Sequence, residues 1–132
     1  MRRDLDVIRD LLLRAEASEH PWYPIGHYER VSHYEEDGFS LDTKLSPLEL
    51  YQIDKLKDAG FILRKSDDHD FVYFEITWVG HDYLDAIRDS GVWEETKSKV
   101  EEAGGSFTLE LVKRIAFAIA KKKLEQHTGL EI

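Results

Sequence analysis

Histidine is the residue type of this sequence best suited to bind a metal ion or to transfer protons near neutral pH. The six histidines are His20, His27, His33, His69, His81 and His127. None of them forms an HExxH motif or an H-x3-H pair on a clearly marked helix. His33 and His69 have carboxylates nearby, but such neighbours arise readily in a chain with 27 acidic residues. Because the chain also lacks cysteine and any nucleophile–base pair, we expect no metal site, no cofactor and no enzymatic activity.

The balance of charges is acidic, with 18 basic and 27 acidic side chains and a formal net charge of −9. Proteins that bind nucleic acids usually carry a positive surface, since their affinity comes largely from neutralising phosphates. No apolar run approaches the ~20 residues that cross a bilayer, and the first residues lack the apolar core of a signal peptide. The sequence therefore predicts a cytoplasmic protein with no membrane partner, and its charge disfavours DNA as a partner.

Residues 46–80 are the stretch around which the other elements are arranged. Ser46, Pro47 and Glu49 form a capping box with proline at the first helical position, and Gly60 can end that helix in the left-handed conformation. Two runs of strand-forming residues follow, beginning at 61 and 71, with a polar turn over 66–70 between them. A helix followed by a β-hairpin is the core of a winged helix, in which the hairpin is the wing.

The remaining segments predict helices over 3–17, 77–88 and 92–103, and a last helix that Ser106 or Thr108 caps and that ends near Gln126. The apolar side of the helix over 77–88 is formed by Trp78, Tyr83, Leu84 and Ile87. Residues 19–45 predict a β-hairpin with a turn over 35–38, and a short helix just before Ser46 is the alternative. We therefore predict an α+β fold, a winged helix with a helical C-terminal extension. It forms a single domain over 1–132, with the winged-helix core over 1–90 and the extension over 91–127.

Several motifs of the chain resemble those of a known family. The most specific is ITWVGHDYLDAIRDSGVWEETK, and MRRDLDVIRDLLLRAE and YQIDKLKDAGFI support it. On these residues most of the chain resembles the small bacterial and prophage proteins of domain-of-unknown-function family 2513. The resemblance implies a winged-helix-like fold and a phage or prophage setting. It implies no catalytic residue and no established activity.

The helix before the wing enters the major groove in winged helices that bind DNA, so its outward face indicates whether DNA is read. At ~100° per residue, the side that faces the core holds Leu48, Tyr51, Gln52, Ile53, Leu56 and Ala59. The outward side holds Leu50, Asp54, Lys57 and Asp58, with Lys55 at its edge. In the wing, Arg64 and Lys65 could contact phosphate, but the turn would repel it through Asp67, Asp68 and Asp70. Both elements match a phosphate backbone poorly.

The last predicted helix is apolar over more than half of its circumference, through Leu111, Val112, Ile115, Ala116, Ala118 and Ile119. Phe117 projects from its polar side. The helix either packs across the rest of the chain or forms a homodimer seam or partner surface, in which aromatic residues are enriched. The lysines at 121–123 suit the negative end of a helix, a placement worth ~0.3–1 kcal/mol.

Two functional hypotheses follow from these patterns. The first is a non-enzymatic accessory or regulatory protein that binds another protein, or a second copy of itself through the last helix. Its candidate binding residues are Leu50, Asp54, Asp58, Asp67, Asp68, Asp70 and Phe117, and the acidic residues Glu35, Glu36 and Asp37 are further candidates. The alternative is a winged-helix DNA-binding transcription regulator whose positive surface is assembled across a dimer. Its candidate DNA-binding residues are Lys55, Lys57, Arg64 and Lys65.

Overall fold

The computed structural model describes residues 1–33, 36–105 and 107–129 and confirms the predicted α+β class. Its helices are α1 (Leu5–Ala17), α2 (Pro47–Asp58), α3 (Trp78–Ile87), α4 (Ser90–Glu102) and α5 (Leu109–Thr128). Its strands are β1 (Tyr23–His33), β2 (Glu36–Asp42), β3 (Ile62–Ser66) and β4 (Phe71–Ile76). The chain divides into two compact units, Met1–Gly80 and His81–Ile132. Within the described ranges, no helix is both long enough and apolar enough to cross a membrane.

The strands form one antiparallel sheet in the order β2-β1-β4-β3. The hairpin predicted within residues 19–45 is confirmed as β1 and β2, and the described residues before Ser46 contain no additional helix. The turn predicted over 35–38 is wrong in its bounds, because pairing of β2 with β1 begins at Glu36 and includes Asp37 and Gly38. Glu35 lies outside the described residues.

The core of the first unit lies on one face of this sheet. Along β4, Val72 and Phe74 are buried while Phe71 and Tyr73 are half-buried on the opposite face, as alternation in a strand requires. Helix α1 packs against β4 and α2, and α2 packs against β3. The buried apolar side chains of this unit are Ile8, Leu11, Leu12, Ala15, Ile25, Ile53, Leu56, Phe61, Ile62, Val72 and Phe74.

Helix α2 begins and ends as its sequence predicts. The Ser46 hydroxyl accepts a hydrogen bond from the Glu49 amide (3.1 Å), and the Glu49 carboxylate accepts one from the Ser46 amide (3.0 Å). Gly60 follows the helix with a φ of 81°. Two residues predicted to face the core are instead exposed, Leu48 in the first turn and Ala59 at the C-cap, because both lie at an end of the helix.

Gln52 faces the core, as predicted, and its side chain is fully buried. Its carbonyl oxygen accepts a hydrogen bond from the Asp4 amide (2.8 Å), and its NH₂ group donates one to the Arg2 carbonyl (2.9 Å). A buried amide is tolerated when its donors and acceptors are paired. Gln52 therefore has a structural role and joins α2 to the segment that precedes α1.

The second unit contains most of α3 together with α4 and α5, and α4 packs against α5. Helix α4 begins at Ser90, earlier than predicted, because the Asp89 carboxylate accepts a hydrogen bond from the Val92 amide (2.8 Å) and caps the helix there. Of the two residues predicted to cap α5, Thr108 is the one that does so. Its hydroxyl accepts a hydrogen bond from the Leu111 amide (3.1 Å). The other alternative, Ser106, lies outside the described residues.

Candidate functional site

The outward face of α2 carries charges of both signs that pair with one another. Lys55 lies 3.8 Å from the Asp58 carboxylate, and Lys57 lies 3.6 Å from the Asp54 carboxylate. Such surface pairs contribute little to stability, but they balance the charge of this face. Leu50, which was predicted to point outward, is half-buried. The face therefore offers neither a net positive surface for phosphates nor a net negative surface for a basic partner.

The two cations of the β3–β4 hairpin also have intramolecular partners. Arg64 donates a hydrogen bond to the Tyr28 hydroxyl at 2.7 Å. Lys65 lies 2.7 Å from the Glu75 carboxylate across the strand pair, and this hydrogen bond raises the pKa of the Lys65 ammonium. All four side chains of the DNA-binding hypothesis are thus engaged within the chain itself, although each remains near the surface.

The turn between β3 and β4 keeps a negative charge, and we call Asp67, Asp68 and Asp70 the acidic turn. Asp67 has a structural role, because its carboxylate accepts hydrogen bonds from the amides of His69 (2.8 Å) and Phe71 (3.0 Å). These bonds lower the pKa of the Asp67 carboxyl. Asp70 adopts a left-handed backbone with a φ of 63°, which aspartate tolerates better than most residues. The carboxylates of Asp68 and Asp70 form no ion pair with any described residue.

Aromatic rings cover part of the sheet face opposite the core, and we call His20, Trp22, Phe71 and Tyr73 the aromatic cluster. The His20 and Trp22 rings are stacked with centroids 4.8 Å apart, and the Trp22 ring meets the edge of Phe71 at 5.4 Å. Tyr73 lies 5.9 Å from Trp22 and 5.8 Å from Phe71. These contacts fasten the start of β1 to β4.

Among the described residues, no group of three or more histidine, aspartate or glutamate side chains lies close enough together to hold a metal ion.

Among the described residues of the first unit, Trp78 is the most exposed large apolar side chain, with 84% of its surface accessible. The sequence predicted it on the apolar side of α3 with Tyr83, Leu84 and Ile87, and this prediction is wrong. Those three side chains are fully buried, whereas Trp78 is the first residue of the helix and its side chain is left in solvent. Val79, the next residue, is also exposed.

Hydrogen bonds and close packing of the residues before and after Trp78 hold its backbone in place. The Thr77 amide donates to the Phe61 carbonyl (3.1 Å), and the Thr77 hydroxyl donates to the Gly60 carbonyl (2.7 Å) and accepts from the Gly80 amide (3.1 Å). Gly80 lies so close to Phe61 that a Cβ atom would overlap the Phe61 carbonyl oxygen. The exposed indole therefore projects from a fixed backbone.

Among the described residues of the second unit, the exposed large apolar side chains lie on α5. Phe117 is 63% exposed and Leu124 is exposed as well. Leu111 and Ala118, predicted on the apolar side of the helix, are also exposed, while Val112 and Ala116 are buried. The buried stripe is thus narrower than the apolar composition of the helix suggested. Of the C-terminal lysines, Lys123 lies 3.7 Å from the Glu95 carboxylate of α4.

Trp78 is the candidate functional residue that the sequence did not identify. One signal for the exposure of Trp78 was available in the sequence. Trp78 directly follows Thr77, which caps α3, and a side chain in the first turn of a helix can lie outside the apolar stripe that faces the core.

Comparison with known proteins agrees with the motifs described above. The model of the family described as "Hypothetical protein (DUF2513)" matches residues 2–106. A Haemophilus influenzae protein, described as "Uncharacterized protein", is 26% identical over 129 residues, covering 94% of this chain and 99% of the relative. No solved structure matches the chain. Because the family model covers well over half of the sequence, the chain belongs to the DUF2513 family.

Proposed function

We propose that the protein is a non-enzymatic accessory or regulatory protein, of phage or prophage type, that acts by binding another protein. We further propose that its first unit is a winged helix, in which α2 precedes the β3–β4 wing. The order of these elements supports the winged helix, and the family resemblance supports the phage or prophage setting. A cytoplasmic location is part of the same proposal.

The exposure of Trp78 is the observation that carries this proposal. Tryptophan side chains are highly buried on average, and tryptophan is among the residues that most often dominate the energy of a protein–protein interface. The hydrogen bonds of Thr77 and the close approach of Gly80 to Phe61 fix the backbone beneath it. A partner therefore binds an anchor whose backbone is already ordered, which lowers the entropic cost of association.

Charge supports a protein over a nucleic acid as the partner. The chain carries a net charge of −9, and Lys55, Lys57 and Lys65 each lie within 4 Å of a carboxylate. A partner with a basic surface would be attracted by the overall field and by the acidic turn.

The test is affinity capture of host proteins on immobilised full-length protein, with Trp78→Ala and Phe39→Ala as a matched pair. Both side chains are largely exposed, at 84% and 70%, so both variants are expected to fold. We expect Trp78→Ala to weaken binding of a captured protein at least about tenfold, as loss of an interface anchor does, and Phe39→Ala to leave it unchanged. Equal capture by the wild type and Trp78→Ala would contradict the assignment of Trp78.

The variant Phe117→Ala tests whether the partner binds at Trp78 or at the exposed apolar residues of α5. If that variant alone loses the partner, the binding surface lies on the last helix and Trp78 is not the anchor. If it instead converts a dimer to a monomer in sedimentation equilibrium while capture persists, α5 is a self-association surface and the Trp78 assignment stands.

DNA binding is the second candidate function, and the succession of α2, β3 and β4 is the observation that favours it. A helix followed by a two-stranded hairpin can place its helix in the major groove. The test is titration of the protein with mixed-sequence duplex DNA across a salt series. Binding that weakens steeply as salt rises would establish phosphate contacts and favour this candidate. We expect no binding even at ~50 mM salt, where such contacts are strongest.

A further inference from the structure

A cavity of about 400 Å³ lies beside the first half of β1. Pairing of β1 with β2 ends where His27 lies opposite Asp42, yet β1 continues back to Tyr23. Residues 23–26 consequently pair with β4 on one side and with no described strand on the other. Residues 23–27, residues 42–45 and Phe71 line the space between.

Contacts within the chain hold the walls of this cavity in position. The Thr43 hydroxyl donates a hydrogen bond to the Ile25 carbonyl and accepts one from the Leu45 amide (3.1 Å). The backbones of Gly26 and Asp42 approach so closely that a Cβ atom on Gly26 would overlap the Asp42 carbonyl oxygen. A bulge between Pro24 and Gly26 shifts the register of β1 at the same point. The cavity is therefore preformed, as ligand-binding sites usually are.

The residues that line the cavity include two aromatic residues and one aspartate without a partner. Phe71 also belongs to the aromatic cluster, whereas the Tyr23 ring packs against Phe74 and lies 5.9 Å from the Arg14 guanidinium. Asp42 forms no ion pair or side-chain hydrogen bond with any described residue, and neither does Lys44.

The acidic turn adds negative charge on the same side. Phe71 directly follows Asp70, whose carbonyl accepts a hydrogen bond from the Tyr28 amide (2.9 Å). His27, which lines the cavity, is near enough to Asp67 to contribute to lowering the pKa of that carboxyl. A cationic group at the cavity would thus meet Asp42 and the acidic turn, with Lys44 and the His27 imidazole as the basic groups of the lining.

We propose that this cavity binds an arginine side chain of the partner protein, with Asp42 as its counter-ion. The proposal rests on the proposed protein-binding function and names the chemistry that one site on the partner must supply. A guanidinium group pairs with a carboxylate through two parallel hydrogen bonds and stacks on aromatic rings, and its methylene stem suits apolar walls. Arginine is also less strongly hydrated than lysine, so its entry into a partly enclosed site costs less.

The test is an NMR titration of the full-length, ¹⁵N-labelled protein with N-acetyl-L-arginine methylamide. The corresponding citrulline derivative, which has nearly the same shape without the charge, is the control ligand. We expect the arginine probe to shift the amide signals of residues 23–27 and 42–45 and of Phe71, with saturation, and the citrulline probe to bind at least about tenfold more weakly. Asp42→Asn should weaken arginine binding by a similar factor. Glu29→Gln, which removes a carboxylate from β1 outside the cavity, should not.

Equal shifts with arginine and citrulline, or with arginine and N-acetyl-L-phenylalanine methylamide, would overturn the proposal, since the site would then not recognise the cation. Shifts confined to other residues, or none, would overturn it as well. Capture of the partner distinguishes this failure from failure of the proposed function. A partner that binds wild-type protein and Asp42→Asn equally would leave the proposed function intact and refute the arginine site.

Discussion

Gln52 shows how a single polar side chain can determine the local structure at the first unit's N-terminal end. Its buried amide bonds to the Asp4 amide and the Arg2 carbonyl, so an apolar replacement would leave both backbone groups without their partner. We expect Gln52→Leu to lower the free energy of unfolding by about 2 kcal/mol, as loss of buried hydrogen bonds does. Urea denaturation measures this change. Gln126→Leu, at an exposed position of α5, is the control and should change stability by less than about 0.5 kcal/mol.

Hydrogen exchange locates the effect of the same substitution. The Asp4 amide should exchange much faster in Gln52→Leu than in the wild type, because its acceptor has been removed. A variant with unchanged stability and unchanged exchange at Asp4 would refute this role for Gln52.

Position 80 requires glycine because the surrounding atoms leave no room for a side chain. A Cβ atom there would overlap the Phe61 carbonyl oxygen and lie 2.9 Å from a methyl group of Ile76. We expect Gly80→Ala to lower the free energy of unfolding by about 3 kcal/mol, because two packed backbones must separate. Gly38→Ala is the control, since a Cβ atom at Gly38 meets no atom within 4 Å. Thermal denaturation compares the two, and equal midpoints would contradict the close approach of Gly80 to Phe61.

At the scale of elements, an ion pair between Arg14 and Glu49 joins α1 to α2. Arg14 of α1 donates a hydrogen bond to the Glu49 carboxylate of α2. The same carboxylate accepts a hydrogen bond from the Ser46 amide in the capping box. The hydrogen bonds from Ser46 and Arg14 lower the pKa of the Glu49 carboxyl below its ordinary value near 4.5. Because the folded-state pKa is the lower one, the stabilisation is complete above pH 4.5 and is lost as the pH falls through the folded-state value.

The pH dependence of unfolding tests this link between helices. We expect Glu49→Gln to cost about 1 kcal/mol at pH 7, a modest value because the pair is partly exposed to solvent. The difference from the wild type should shrink as the pH falls below 4.5, where the wild-type carboxylate is also neutralised. Glu110→Gln is the control. Glu110 also lies in the first turn of a helix, but its ion pair with Arg114 is long, at 3.9 Å, and exposed to solvent. A constant difference between wild type and Glu49→Gln from pH 7 to pH 3 would contradict the pair.

For the whole molecule, the features that could be predicted are those fixed by a few neighbouring residues. The capping box at Ser46 and Glu49 and the left-handed Gly60 depend on local geometry, and the structure confirms them. The presence of strands and the inward position of Gln52 could likewise be predicted, because both follow from the periodicity of neighbouring residues. These local signals were sufficient to establish the α+β class.

The features that could not be predicted depend on residues distant in the sequence. The position of Trp78 directly after Thr77 indicates a side chain in the first turn of α3, but its exposure depends on where that turn lies against Phe61, which helical periodicity does not indicate. The pairing of Lys65 with Glu75 depends on the register of β3 with β4. The cavity beside β1 depends on where β2 stops pairing, which residue composition does not reveal.

Site-specific photo-cross-linking from position 78 in living cells tests most directly whether the protein acts by binding a partner through Trp78. A photoreactive phenylalanine analogue replaces Trp78 in one variant and Phe39, a similarly exposed aromatic, in the control. We predict one discrete protein adduct from position 78 and none from position 39. No adduct from position 78, or adducts of equal yield from both positions, would contradict the account.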